Sequence, residues 1–390
     1  MLIIFFQQLQ CCFQLQLQFV QDERAKCLDG TLGSYYFQQG FEGGQNKFII
    51  YFEGGETKTQ QGSSLNRASA FEFDGVLSQD EINNYYFHNW NLIHINYCDG
   101  VGFQGYKFDQ VNYQSNVLYF RGELIIRSIF DHFISNFQKA EIIILSGCSV
   151  GGVAALQWEQ YFSSLIPENI SILCVSDSGI LYDMQSMNGS NLLQQSLKIM
   201  NYFANNETQV PQKNCAYDFP NQNWKCFYFQ NLMHYIQQPV FIIQPFYDIS
   251  FLYKYLEIKC IQDLTLNNCQ KNEMNFIDHV FQTFRQVIIE SLNNNSNTGS
   301  FAPSCIADCL FISQLSFSPN WTVPEGSNRT VYQTLVRWVE NQKYNSYCQI
   351  DFGLMDQQPW PKNSACAGLS SSINLIKLIN MILWIIIILL

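Results

Sequence analysis

The stretch that decides the fold is Ile142–Gly152, I-I-I-L-S-G-C-S-V-G-G. An apolar run stops in a small-residue turn, and Gly147-Cys148-Ser149-Val150-Gly151 fits the pattern G-x-S-x-G. A serine at so tight a strand-to-helix turn needs neighbours without side chains on both sides. The turn lifts the Ser149 hydroxyl into a cleft and aims the Val150 N–H and a helix N-terminus at a developing oxyanion. Ser149 is therefore the expected nucleophile. A tight turn around a buried serine is the alternative.

Outward from this turn, short apolar runs alternate with helical stretches. Lys47–Phe52, Asn91–Tyr97, Glu141–Leu145, Ile170–Val175 and Val240–Gln244 are β-rich, and short as fully buried parallel strands should be. Leu118–Phe137, Val153–Leu165 and Asp278–Leu292 carry helical spacing. Strands alternating with helices predict a mostly parallel, doubly wound α/β sheet with helices on both faces. Ligands in such sheets bind at the carboxyl ends of the strands, where Ser149 falls. No linker, charge block or repeat interrupts Cys27–Cys348, so a single domain over residues 27–350 is expected.

Two further stretches end strands in the same way. Tyr51-Phe52-Glu53-Gly54-Gly55 follows the first core strand, and its glycine pair lets backbone N–H groups approach a substrate oxygen. Gln244-Pro245-Phe246-Tyr247-Asp248 puts an acid after a late strand, in the chain order Ser…Asp…His of hydrolases. An ordinary turn and a helix N-cap are the respective alternatives.

The chain of 390 residues is 47% hydrophobic and 14% charged, which excludes a mainly disordered protein. Its net charge of −11 comes without a basic run and argues against nucleic acid as a partner. Met1–Val20 is apolar but broken by glutamines and lacks a basic start. It is read as an atypical secretory signal, with a buried N-terminal strand as the alternative. Leu378–Leu390 is uninterruptedly apolar and follows the small residues Asn363-Ser364-Ala365 and a spacer, so residues 363–390 read as a GPI-attachment signal or a C-terminal membrane anchor. Fourteen cysteines without paired zinc spacing favour disulfides in an oxidising compartment. Sequons at Asn169, Asn188, Asn206, Asn294, Asn320 and Asn328 agree with a secreted or cell-surface protein.

Together these residues carry a family resemblance. Cys27-Leu28-Asp29-Gly30, Phe52-Glu53-Gly54-Gly55, Asn89-Trp90-Asn91, Tyr97-Cys98-Asp99-Gly100, Tyr119-Phe120-Arg121-Gly122, Leu145–Gly152, Ser176-Asp177-Ser178-Gly179, Tyr247-Asp248 and Ser304-Cys305-Ile306-Ala307-Asp308-Cys309 recur in one order over most of the chain. In this the chain resembles the pectinacetylesterase/Notum family of secreted carboxylesterases. The resemblance implies an α/β-hydrolase fold and removal of O-acyl groups from extracellular polysaccharide, glycoconjugate or lipid-modified substrates. It implies no metal or organic cofactor. Residue by residue, it makes Ser149 the nucleophile, Asp248 the triad acid, and the backbones of Gly55, Glu56 and Val150 the oxyanion hole.

The departures bear on chemistry. The late family motif S-C-x-x-H carries aspartate here, Asp308, and none of the five histidines (His88, His94, His132, His234 and His279) lies in that segment. Glu56 brings a carboxylate next to the oxyanion donors, and Lys58 stands where relatives hold a disulfide cysteine. A serine hydroxyl needs a base whose pKa lies near the working pH, and an ordinary aspartate near ~4 is much weaker than imidazole. The expectation is a serine-esterase site whose proton acceptor is impaired, or a non-catalytic binding protein on the same scaffold.

Overall fold

The computed structural model describes residues 15–55, 62–65, 67–204, 211–295, 297–344 and 352–359. The strands are β1 (Leu15–Phe19), β2 (Ser34–Gln38), β3 (Lys47–Phe52), β4 (Ala70–Phe71), β5 (Asn91–Ile95), β6 (Val111–Tyr113), β7 (Asn116–Leu118), β8 (Ile142–Cys148), β9 (Ser171–Asp177), β10 (Val240–Ile243), β11 (Tyr247–Asp248), β12 (Gly299–Ala302), β13 (Ile306–Ala307) and β14 (Gly353–Met355). Ten of them form one sheet in the order β14-β12-β10-β9-β8-β3-β5-β2-β1-β4. Every pairing from β14 to β5 is parallel, and β2, β1 and β4 extend the sheet antiparallel. The helices that cover it include α1 (Gly122–Phe137), α2 (Val150–Gln157), α3 (Lys271–Asn294) and α4 (Val331–Tyr344).

The alternation of side chains along each strand sorts the core into two layers. Phe48, Ile50 and Phe52 of β3 pack with Ile126, Ile129, Phe130 and Phe133 of α1, and Phe281 and Phe284 of α3 join the same layer. Ile49 and Tyr51 point the other way, into the layer that holds Leu335, Val336 and Trp338 of α4. Strands buried on both faces must be apolar at nearly every position, which is why they read as unbroken runs. Each large side chain so buried contributes about 1.5–3 kcal/mol. The doubly wound α/β sheet is the one the strand and helix pattern predicted, and its hydrolase-like arrangement is the one the family resemblance implied.

Local differences have local causes. Helix α1 begins at Gly122 rather than Leu118, because Tyr119 N–H donates to Leu28 O and the Phe120 carbonyl accepts from Lys107 N–H. Helix α2 starts at Val150, and a separate short helix, Glu159–Ser163, follows Trp158. Leu15–Phe19, inside the stretch read as a leader, is strand β1 between β2 and β4, with Leu15 and Val20 buried. Four disulfides lie among the described residues: Cys27–Cys98, Cys148–Cys309, Cys215–Cys226 and Cys260–Cys269. Cys305 is also disulfide-bonded, whereas Cys174 is a buried thiol. Glu56, Lys58, the sequon asparagine Asn206 and the segment 363–390 lie outside the described residues. Among the described residues no helix is long and apolar enough to cross a membrane.

Candidate active site

Ser149 links β8 to α2 with φ 54° and ψ −120°, a left-handed backbone that a side-chain-bearing residue adopts only under constraint. Two contacts supply the constraint. Ser149 N–H donates to Asp177 O at 2.8 Å, and its carbonyl accepts Val153 N–H at 3.1 Å. The flanking glycines are required by packing: a side chain at Gly147 or Gly151 would run into the carbonyl of Phe52 at the end of β3. Ser149 is half-buried, and Val150 begins α2, where first-turn N–H groups have no intrahelical acceptor.

The Glu53-Gly54-Gly55 turn lies against this elbow, since a side chain on Gly54 would meet the Cys148 carbonyl at 3.0 Å. What holds the turn is a buried ion pair. The Arg67 guanidinium forks onto Glu53, Nη1 to Oε1 at 3.0 Å and Nη2 to Oε2 at 2.8 Å. Both side chains are less than one-twentieth exposed. Arg67 also donates to Asn96 Oδ1 and Tyr97 O, and Tyr97 N–H donates to Glu53 Oε2 at 2.6 Å. A buried carboxylate and guanidinium persist only when paired and bonded in this way. Gly55 follows directly, half-buried.

Asp248 is buried at the end of β11. Its carboxylate accepts Phe251 N–H at 2.9 Å and Gln244 Nε2–H at 3.1 Å. Strand β11 pairs in parallel with β13, Asp248 opposite Ala307, so Asp308 emerges beside it. Asp308 is half-buried, and Ser250 Oγ–H donates to its Oδ2 at 2.9 Å. The next residue, Cys309, is bonded to Cys148, which precedes Ser149. The tertiary structure therefore gathers Ser149, Val150, Gly55, Asp248 and Asp308 at one end of the sheet.

The histidines go elsewhere. His132, His234 and His279 are exposed, and His88 is tied to the Asn84 and Tyr85 carbonyls. His94 is buried between the rings of Tyr51 and Phe73, at centroid distances of 5.2 and 4.3 Å, and burial drives its pKa down to about 4. Among the described residues, no histidine ring hydrogen-bonds to Ser149.

Sequence reasoning left several site residues without a role. Asp177 ends β9 fully buried; its carboxylate accepts Phe311 N–H at 2.7 Å and Ser178 Oγ–H at 3.1 Å. Burial raises its pKa to about 7, with the charge of Asp308 adding to the rise. An acid followed by small residues at the carboxyl end of a core strand was the available signal. Arg67 gave none, because its partner is 14 residues away and the pairing exists only after folding.

Comparison with known proteins bears on the family and the fold. A family model described as Pectinacetylesterase matches residues 10–367. Pectin acetylesterase 5 of Arabidopsis thaliana is 29% identical over 381 residues, which cover 92% of this chain and 85% of that protein. Palmitoleoyl-protein carboxylesterase notum2 of Xenopus laevis is 24% identical over 391 residues, covering 91% and 74%. The solved structure of the Wnt deacylase Notum from Drosophila superposes with a TM-score of 0.73 at 20% identity, covering 90% of this chain and 99% of that one; at this identity the likeness concerns the fold. The glycine-bounded elbow, the Glu53-Gly54-Gly55 turn against it and the family match over most of the chain lead to one assignment: the chain belongs to the pectinacetylesterase family.

Proposed function

We propose that this protein is an exported, cell-surface carboxylic-ester hydrolase that removes O-acetyl or other O-acyl groups from polysaccharide or glycoconjugate slowly, with Ser149 as nucleophile. The observation that carries the reading is the pairing of an intact elbow with aspartate at position 308, held across one disulfide. Export is supported by the disulfides.

In this reaction Ser149 Oγ attacks the acyl carbon and its proton passes to the Asp308 carboxylate. The carbonyl oxygen becomes an oxyanion, for which the family resemblance assigns the N–H groups of Gly55, Glu56 and Val150 as donors. Collapse expels the sugar alcohol, which takes the proton back from Asp308. Water then attacks the acyl-serine, releasing the acid and restoring Ser149. Asp308 is a poor substitute for imidazole in both halves. The Ser250 hydroxyl already donates to Asp308 Oδ2 and competes with Ser149 for that oxygen. Losing the base of a serine triad typically costs about 10⁴–10⁶ in rate, leaving about 10³–10⁴ over water from binding and the oxyanion hole.

The Ser250–Asp308 hydrogen bond also favours a second reading, a binding protein for acylated saccharides or lipids without turnover. Hydrolysis of p-nitrophenyl acetate by the wild type, Ser149→Ala and Asp308→His separates the two. Slow turnover abolished by Ser149→Ala and raised by Asp308→His supports the hydrolase. Identical rates for wild type and Ser149→Ala, with saturable binding of an acylated oligosaccharide, support the binding protein.

A further inference from the structure

We propose that Asp177 and Ser178 are positioning residues that together hold position 308 opposite Ser149. The inference rests on the reading of Ser149 as nucleophile for its kinetic consequence, and on hydrogen bonds alone for its structural one.

The two residues touch both sides of the site. On the elbow side, the backbone carbonyl of Asp177 accepts Ser149 N–H at 2.8 Å. On the other side, the Asp177 carboxylate accepts Phe311 N–H at 2.7 Å, and Ser178 Oγ accepts Cys309 N–H at 3.0 Å. Ser178 in turn donates its hydroxyl to the Asp177 carboxylate at 3.1 Å, which joins the two contacts into one unit. Its own N–H is anchored to Ile243 O at the end of β10. The loop bearing position 308 is thus fastened to the end of β9 at residues 309 and 311, immediately beyond Asp308.

Backbone strain gathers at the same point. Ser149, Ser178 and Cys309 have φ of 54°, 51° and 52°, the left-handed region that non-glycine residues avoid. Three such residues persist side by side only where surrounding bonds over-determine them. The Cys148–Cys309 disulfide limits separation but leaves rotation about its bonds. The hydrogen bonds from Asp177 and Ser178 select one orientation of the loop. A fully buried carboxyl is costly to keep, and this one has both oxygens engaged in that task.

The test compares the wild type, Ser178→Ala, Asp177→Ala and Asp177→Asn as full chains. Backbone hydrogen exchange is followed in peptides covering 305–312 and 146–153, with α3 as internal reference. Exchange at 309–311 should rise about tenfold in Ser178→Ala and Asp177→Ala while α3 stays unchanged. Asp177→Asn should be milder, because its amide oxygen still accepts Phe311 N–H. The kinetic arm places the same changes in whichever of wild type and Asp308→His turns over p-nitrophenyl acetate faster. There kcat should fall about tenfold or more while KM stays within about twofold. Unchanged exchange at 309–311, acceleration spread equally to α3, or loosened 309–311 with unchanged kcat would each overturn the proposal. Should neither parent hydrolyse the ester, the functional reading fails, and the exchange arm alone decides the clamp.

Discussion

Cys148 and Cys309 are joined across a Cα separation of 5.3 Å, so Ser149 and Asp308 each stand one residue beyond the same covalent bridge. The bridge brings together two residues separated by about 160 positions in sequence and makes the identity of residue 308 a property of the surroundings of Ser149. Removing it through Cys148→Ala with Cys309→Ala should lower stability by about 2–5 kcal/mol in denaturant unfolding. It should also cancel any rate gained from Asp308→His. Retention of that gain in the bridge-less protein would show that the bridge does not set the geometry.

Ser250 engages Asp308. Its hydroxyl donates to Oδ2 and so competes for a carboxylate oxygen that would take the Ser149 proton; Ser250→Ala removes that competitor. Turnover of p-nitrophenyl acetate near pH 7 should increase about two- to tenfold. A rate identical to wild type would remove Asp308 from the proton path.

The Glu53–Arg67 pair holds the turn that carries Gly55. Arg67→Ala leaves Glu53 buried without its guanidinium and should cost about 3–5 kcal/mol of stability. Arg67→Lys should recover only part of it, because a single ammonium cannot reproduce the fork onto both carboxylate oxygens. In whichever variant stays folded, kcat should fall about 10²–10³-fold, the usual loss when oxyanion donors are displaced. Wild-type kcat in a folded Arg67→Lys protein would argue against this role.

Glu159 gives the pH dependence a defined sign. Burial raises its pKa from 4.5 to about 7, so between those values the folded protein binds a proton that the unfolded chain has released. Its contribution to stability therefore falls as pH rises through that window. Asp177, raised from 3.8 to about 7, acts in the same direction. His94, lowered from 6.5 to about 4, opposes both, since its contribution grows as pH rises from about 4 to 6.5. Glu159→Gln removes one of the two acids. Relative to wild type, its Tm should gain about 2 °C or more at pH 8 compared with pH 5. A difference that is constant over that range would contradict the assignment.

How far the sequence carries can be judged residue by residue. The β3 and β8 strands and the Ser149 turn are local signals: an apolar run, then glycines at the places where Phe52 and the elbow pack backbone to backbone. The start of α1 was misplaced by four residues because sideways hydrogen bonds from Tyr119 and Phe120 overrode helical spacing. β1 matches the alternative reading of Met1–Val20 as a buried strand; composition alone does not separate the two, since a sheet strand and a signal segment draw on the same apolar residues.

By itself the sequence determined the α/β class, the elbow at Ser149 and the presence of aspartate at 308, where the resemblance implies histidine. Each of these is encoded in neighbouring residues, whose periodicity and side-chain size act over a few positions. Only the tertiary structure decided that Cys148 pairs with Cys309, that Arg67 secures Glu53, that no histidine comes to Ser149 among the described residues, and that Asp177 and Ser178 grip both sides of the site. Those relations join residues from 14 to 161 positions apart. They arise when parallel pairing sets the strand ends side by side, and local pattern carries no record of which ends will meet.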